Sequence, residues 1–214
     1  MDNLQMFNEY KFKGEELISK ITTFAVEKYR SHISEIAKKF ELPIENELYE
    51  CDDESLVYMT VDYFLHEYRV EGKSILEMYE ENGLIEDEFE KEFITVMKTS
   101  YVSLYRVVNK SMDKGYVFLM DLFNKVRNSR LTDEELVQIV DSNKLVFLRM
   151  YKFKDINMTM NTMYVYDNKY EGFIIKSIND ILNVGRKEDK TFNLCLSMNG
   201  ISKFIQENEL MNMI

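Results

Sequence analysis

Residues 57–121 read VYMTVDYFLHEYRVEGKSILEMYEENGLIEDEFEKEFITVMKTSYVSLYRVVNKSMDKGYVFLMD, and a change of rhythm inside this stretch decides the fold. Up to Ser100 the apolar residues recur at three- and four-residue steps, the spacing of helix faces: Val57, Val61, Phe64, Leu65 and Tyr68, then Phe89, Phe93, Val96 and Met97. Between these two runs, Gly72 ends the first. Ser74 and Glu77 then form a capping box for a short helix over 75–81, which stops at Asn82-Gly83. From Ser103 the pattern turns to β-branched and aromatic residues, and Asp113-Lys114-Gly115 supplies a hairpin turn into a second strand over 116–123.

Outward from this stretch, residues 14–40 form the longest apolar stripe. Leu17, Ile18, Ile21, Phe24, Ala25, Tyr29, Ile33, Ile36, Ala37 and Phe40 lie on one helix face, and Pro43 marks the stop. Thr132 opens a short helix with an acidic first turn. Residues 145–153 and 158–166 read as strands, and 170–183 and 201–211 as helices, the last after Asn199-Gly200. The expected fold is α+β, with a helical part over 1–100, a small antiparallel barrel-like β unit over 101–167, and C-terminal helices over 168–214 packing on the β unit. Tyr63, Phe64 and Tyr68 are expected to join their helix to the one carrying Phe89, Phe93 and Met97.

A set of dispersed positions carries a resemblance. These are Asp62-Tyr63-Phe64 with Tyr68-Arg69, Gly72-Lys73-Ser74, Ser100 with Ser103-Leu104-Tyr105-Arg106-Val107, Asp121-Leu122-Phe123, and Leu148-Arg149. In this order they resemble the central region of bacterial proteins that often end in a SEC-C zinc motif. The resemblance implies helices followed by a small barrel-like β unit. It does not extend to the zinc motif, because no Cys or His follows Cys195.

The composition narrows the function. A net charge of −11, from 38 acidic and 27 basic residues, disfavours attraction to nucleic acid or anionic lipid. No run approaches the roughly 18 apolar residues of a membrane helix. The first residues lack the basic-then-apolar order of a secretory leader, so a cytoplasmic location is expected. Cys51 and Cys195 stand isolated and read as buried thiols rather than a disulfide.

Known catalytic patterns fail in turn. His66-Glu67 begins like a zinc-binding HExxH, but position 70 is Val. His32 lies on an apolar stripe and reads as a half-buried core residue. The 7 glycines never take phosphate-loop spacing, and no GxSxG elbow is present. No catalytic, metal-binding or cofactor-binding residue is therefore assigned, and no cofactor is expected. Lys125, Arg127 and Arg130, with Lys152 and Lys154 beside Tyr151 and Phe153, form a modest basic-aromatic cluster. Its simpler reading is core rings with outward lysines.

These observations favour a non-enzymatic cytoplasmic protein that binds another protein, as an adaptor, with no direct nucleic-acid partner and no membrane. Two alternatives stand beside it: an acidic mimic of nucleic acid that occupies a nucleic-acid-binding protein, and a metal-dependent enzyme built on carboxylates. The Met- and Tyr-rich segment 144–166 is the expected partner surface, with Tyr151, Met160, Tyr164 and Tyr166 forming an exposed apolar patch.

Overall fold

The computed structural model describes residues 3–40, 42, 44–45, 48–49, 54–124, 129–184 and 190–211. Pro43, Cys51, Lys125 and Arg127 lie outside them. The chain divides into two compact units, Met1–Tyr166 and Asp167–Ile214.

The first unit opens with α1 (Asn3–Lys39), which buries Phe7, Gly14, Leu17, Ile21, Phe24 and Ala25 on one face. Its helical path breaks at Tyr29 (φ −128°, ψ 28°), and burial resumes at Ile36 and Ala37. The two-residue strands β1 (Ile44–Glu45) and β2 (Leu48–Tyr49) pair with each other. Next comes α2 (Glu54–His66). A small ribbon, β3 (Arg69–Val70) with β4 (Lys73–Ser74), then turns through Glu71 and Gly72. Both central residues have positive φ, 52° and 86°, the geometry of the tight hairpin turn for which glycine is favoured. Ser74 then caps α3 (Ile75–Glu81) as expected. Its hydroxyl accepts from the Glu77 N–H at 3.2 Å, while its own N–H donates to the Glu77 carboxylate at 2.7 Å. Asp87 caps α4 (Glu88–Thr99).

α1 packs against α2, α3 and α4. Rings expected to join α2 to α4 meet partners elsewhere. Tyr63 of α2 meets Phe40 edge-on at 5.6 Å, and Phe93 of α4 meets Tyr151 and Phe153 at 6.0 and 5.1 Å. α4 thus faces the sheet.

The sheet is formed by β5 (Tyr101–Ser111), β6 (Tyr116–Asp121), β7 (Ser129–Thr132), β8 (Lys144–Lys152), β9 (Asn157–Met158) and β10 (Thr162–Asp167), with α5 (Glu134–Ile139) between β7 and β8. Its order is β10-β8-β5-β6-β7, and β9 also pairs with β8. Tyr101 stands opposite Met150, Tyr105 opposite Asp121, and a bulge falls between Val107 and Asn109. Bulges bend a strand and increase its twist. The Asn157 side chain of β9 donates to the Arg130 carbonyl of β7 at 2.9 Å, so the sheet nearly closes as a barrel. Val146, Leu148 and Met150 of β8 join Tyr105, Val107, Val117, Leu119 and Leu131 in one core that also takes Leu136 and Val137 from α5. The alternate residues of β8, Phe147, Arg149 and Tyr151, point to the opposite face. Both faces of this central strand are buried, so its sequence lacks alternation.

Asp121 fixes the turn after β6. It accepts from the Ser103 hydroxyl at 2.6 Å, the Tyr101 hydroxyl at 3.1 Å, the N–H groups of Phe123 and Asn124 at 3.0 Å, and the Asn124 side chain at 3.0 Å. Burial pushes its carboxyl up, but these hydrogen bonds outweigh burial and hold it below the usual carboxylate range.

The second unit contains a 3₁₀ turn (Asn168–Tyr170) and two helices that pack together, α6 (Glu171–Val184) and α7 (Lys190–Met211). The helix expected to start at Ile201 begins eleven residues earlier and runs through Asn199-Gly200. A helical glycine costs only about 1 kcal/mol. Leu194, Cys195, Met198 and Ile201 keep a buried stripe across that point.

Gly14 marks a close approach of α1 to α4. A Cβ there would lie 2.5 Å from the tip of the Phe93 ring and 3.2 Å from the Met160 methyl. Phe93 is fully buried and held by Tyr151 and Phe153, so it has little room to yield. Gly14→Ala is expected to lower stability by about 1–2 kcal/mol in urea denaturation, because overpacking exceeds the gain in helix propensity. A stabilised variant would contradict this packing.

Candidate functional site

One face of α2, carrying Val57, Tyr58, Val61, Asp62, Leu65 and His66, is repeated at four-residue steps and looks toward Arg149 and Tyr151 on β8. Arg149 is the largest fully buried side chain of the described residues. Its Nε donates to both Asp62 oxygens at 2.9 and 3.1 Å. Nη2 donates to Asp62 at 3.0 Å and to Glu67 at 2.8 Å, and Nη1 to the Ser100 carbonyl and hydroxyl at 3.1 and 3.2 Å. All five guanidinium N–H groups are thereby used. Burial works against the charge, but the Asp62 carboxylate and its hydrogen bonds prevail, raising the Arg149 pKa above its ordinary value.

His66 completes the cluster. Its Nδ1 lies 2.9 Å from the Asp62 carbonyl oxygen and 3.6 Å from the Asp62 carboxylate. A carbonyl only accepts, so Nδ1 carries the proton, and the bare Nε2 accepts from the Tyr151 hydroxyl at 3.2 Å. Burial, then the Arg149 charge, pull the His66 pKa down to about 4 against the opposing pull of Asp62. Burial, then the Asp62 charge, raise the Tyr151 phenol above its ordinary value, so it stays protonated. The arrangement is a satisfied polar network with a neutral imidazole, in which the Asp62 carboxylate is not the group that orients His66.

Above this network lies a cleft of about 220 Å³, walled by Ile18, Val57, Val61, Leu65, Met160 and Met163, with Tyr58 and Asn161 exposed at its rim. Among the described residues, no three His, Cys, Asp or Glu side chains gather in a way that could hold a metal ion.

The expected exposed patch is overturned. Tyr151, Met160, Tyr164 and Tyr166 are 3%, 8%, 7% and 5% exposed. Tyr151 sits among Phe93, His66 and the cleft floor. Tyr164 and Tyr166, two residues apart on β10, share one face and stack at 5.8 Å, leaving Val165 between them to face outward. The structure brings Tyr151 and Met160 together as cleft lining; Tyr164 and Tyr166 lie elsewhere. Phe153 is likewise buried while Lys152 and Lys154 are exposed, the simpler of the two readings of that cluster. His32 is half-buried, its Nδ1 3.1 Å from the Tyr68 hydroxyl. Cys195 is buried.

Large apolar side chains do reach solvent on the second unit. Phe173 of α6 and Phe204 of α7 stack at 5.2 Å and remain 41% and 51% exposed. They border a groove of about 290 Å³ with Leu196, Ser197, Gly200 and Ile201. Sequence reading passed over both rings, although the signal was present. Ile174 with Ile178, and Ile201 with Ile205, define the buried stripes, and each Phe stands beside its stripe rather than on it.

The sequence profile of a family of unknown function (DUF7986) matches residues 1–209. The chain is 32% identical over 108 residues to an uncharacterized protein of African swine fever virus (isolate Pig/Kenya/KEN-50/1950). That match covers 48% of this chain and 73% of the viral protein. This relative is viral, whereas the resemblance noted in the sequence was to bacterial proteins. No solved structure matches the chain significantly. No helix among the described residues is long and apolar enough to cross a membrane.

The depressed pKa of His66 has a sign that can be tested. Between about pH 6.5 and pH 4 the unfolded histidine binds a proton that the folded one refuses, so stability rises with pH across that window. The full contribution is present above the unfolded value and is lost as pH falls toward about 4. Wild type is expected to lose about 3 kcal/mol more than His66→Gln over this range in urea denaturation. Equal pH slopes for the two proteins would contradict a buried neutral His66.

Proposed function

Since the chain belongs to this family of unknown function, no activity reaches it by kinship, and we propose that it is a non-enzymatic cytoplasmic adaptor that acts by binding another protein. The observation that carries the reading is the Phe173–Phe204 pair. Two stacked rings facing water beside an apolar groove are the kind of anchor that protein interfaces use, aromatic residues being enriched among their energetic centres. Gly200 leaves open space beside its Cα, with nothing within 4 Å of where a Cβ would be, so a partner side chain fits there. The saturated state of the Arg149 network supports binding over catalysis, because neither His66 nor Tyr151 is poised to exchange a proton near neutral pH.

The convergence of Asp62, Ser100 and Arg149, three of the positions in the SEC-C-type resemblance, supports a shared scaffold with those proteins and carries no activity across.

A photoreactive phenylalanine analogue at position 204 is expected to give one discrete protein adduct in the native cell, lost when Phe173→Ser is added. Exposed Leu84 on the other unit, replaced in the same way, serves as the control. No adduct from position 204, or the same adduct from both positions, would contradict the assignment.

A further inference from the structure

The cleft on the first unit has a chemistry of its own. Apolar side chains form its walls, and its floor is charged. On that floor the Asp62 carboxylate faces the Arg149 guanidinium, which also donates to Glu67 at 2.8 Å, a carboxylate outside the cleft lining. The two signs are not equally presented. The Arg149 side chain is 2% exposed and spends every donor on the protein, while Asp62 is 13% exposed and lines the cleft. A carboxylate oxygen accepts along two directions, so Asp62 retains acceptor capacity on its open side. At the rim, the Tyr58 ring offers a face of the kind that attracts ammonium groups.

Size adds a second constraint. Dry apolar cavities of about 150 Å³ bind benzene, and drug-sized ligands occupy about 300 Å³ or more. A space of about 220 Å³ therefore suits a single ring or short branched chain with one polar head.

We infer that this cleft binds a compact primary amine, with its apolar body between α2 and Met160 and its ammonium group directed at Asp62 beneath Tyr58. The site is one of binding; no bond to the ligand is made or broken.

The test uses the full chain and three isosteric probes that differ in charge: benzylamine, benzyl alcohol and benzoate. The readout is the ¹³C-methyl spectrum of the isoleucine, valine and methionine residues near neutral pH. Benzylamine is expected to shift the methyls of Ile18, Val57, Val61 and Met160 saturably in the millimolar range. It should bind about tenfold more tightly than benzoate, with the alcohol between them. Val61 is half-exposed, so Val61→Trp fills the cleft from the surface side, and Val57→Phe does so from the preceding turn. Each variant is checked for a wild-type circular dichroism melt, and a folded one is expected to lose the saturable shifts. Absence of saturable shifts with every probe, benzoate binding as well as benzylamine, or binding retained in a folded cleft-filled variant would each overturn the assignment.

Discussion

The guanidinium of Arg149 is the constraint on which the first unit depends. A charge placed in the middle of a buried strand can only persist if it is paired and fully hydrogen-bonded, because desolvation costs several kcal/mol per ion. The fold meets that demand from three directions. Asp62 comes from the middle of α2, Glu67 from the residue after α2 ends, and the Ser100 carbonyl from the junction of α4 and β5. One side chain on β8 therefore fixes where two helices meet the sheet. Removing a single partner would strand the others, and such breaks typically cost about 3–5 kcal/mol.

The consequences spread outward from this point. With α2 pinned through Asp62, the turn below it carries His66 onto Tyr151, and the turn above leaves Val57 and Tyr58 lining a space that α1 and the segment after β9 enclose. α1 contributes Ile18 to this space, one turn after its close pass at Gly14 over Phe93. The barrel side of β8 plays no part in this. It builds a separate apolar core with β5, β6, β7 and α5, so the strand serves two environments through its alternation. The second unit carries its exposed aromatic pair on a helical hairpin with its own buried stripe.

Much of the architecture was legible because it is local. The Ser74–Glu77 capping box, the Gly115 turn and the change from helical to strand spacing near Ser100 each reflect interactions among residues close in sequence. What misled was non-local. Tyr164 and Tyr166 read as anchors for a partner, yet alternation along β10 turns both inward together. Gly200 read as a helix start, but one glycine costs less than the stripe around it gains. The polar network was half visible: Asp62, Ser100 and Arg149 each appeared in the resemblance, without any indication that they touch. The clue available in the sequence was Arg149 itself, a charge inside the run Leu145-Val146-Phe147-Leu148-Arg149-Met150-Tyr151, which demands a distant carboxylate.

The most direct measurement of this account is a double-mutant cycle between Asp62→Asn and Arg149→Met, followed by urea denaturation. If Arg149 and Asp62 act as one buried unit, each single substitution leaves an uncompensated group, and the double variant is less destabilised than the sum by more than about 1.5 kcal/mol. If the two effects add to within about 0.5 kcal/mol, the residues are independent, and the claim that this contact holds the helices to the sheet is wrong.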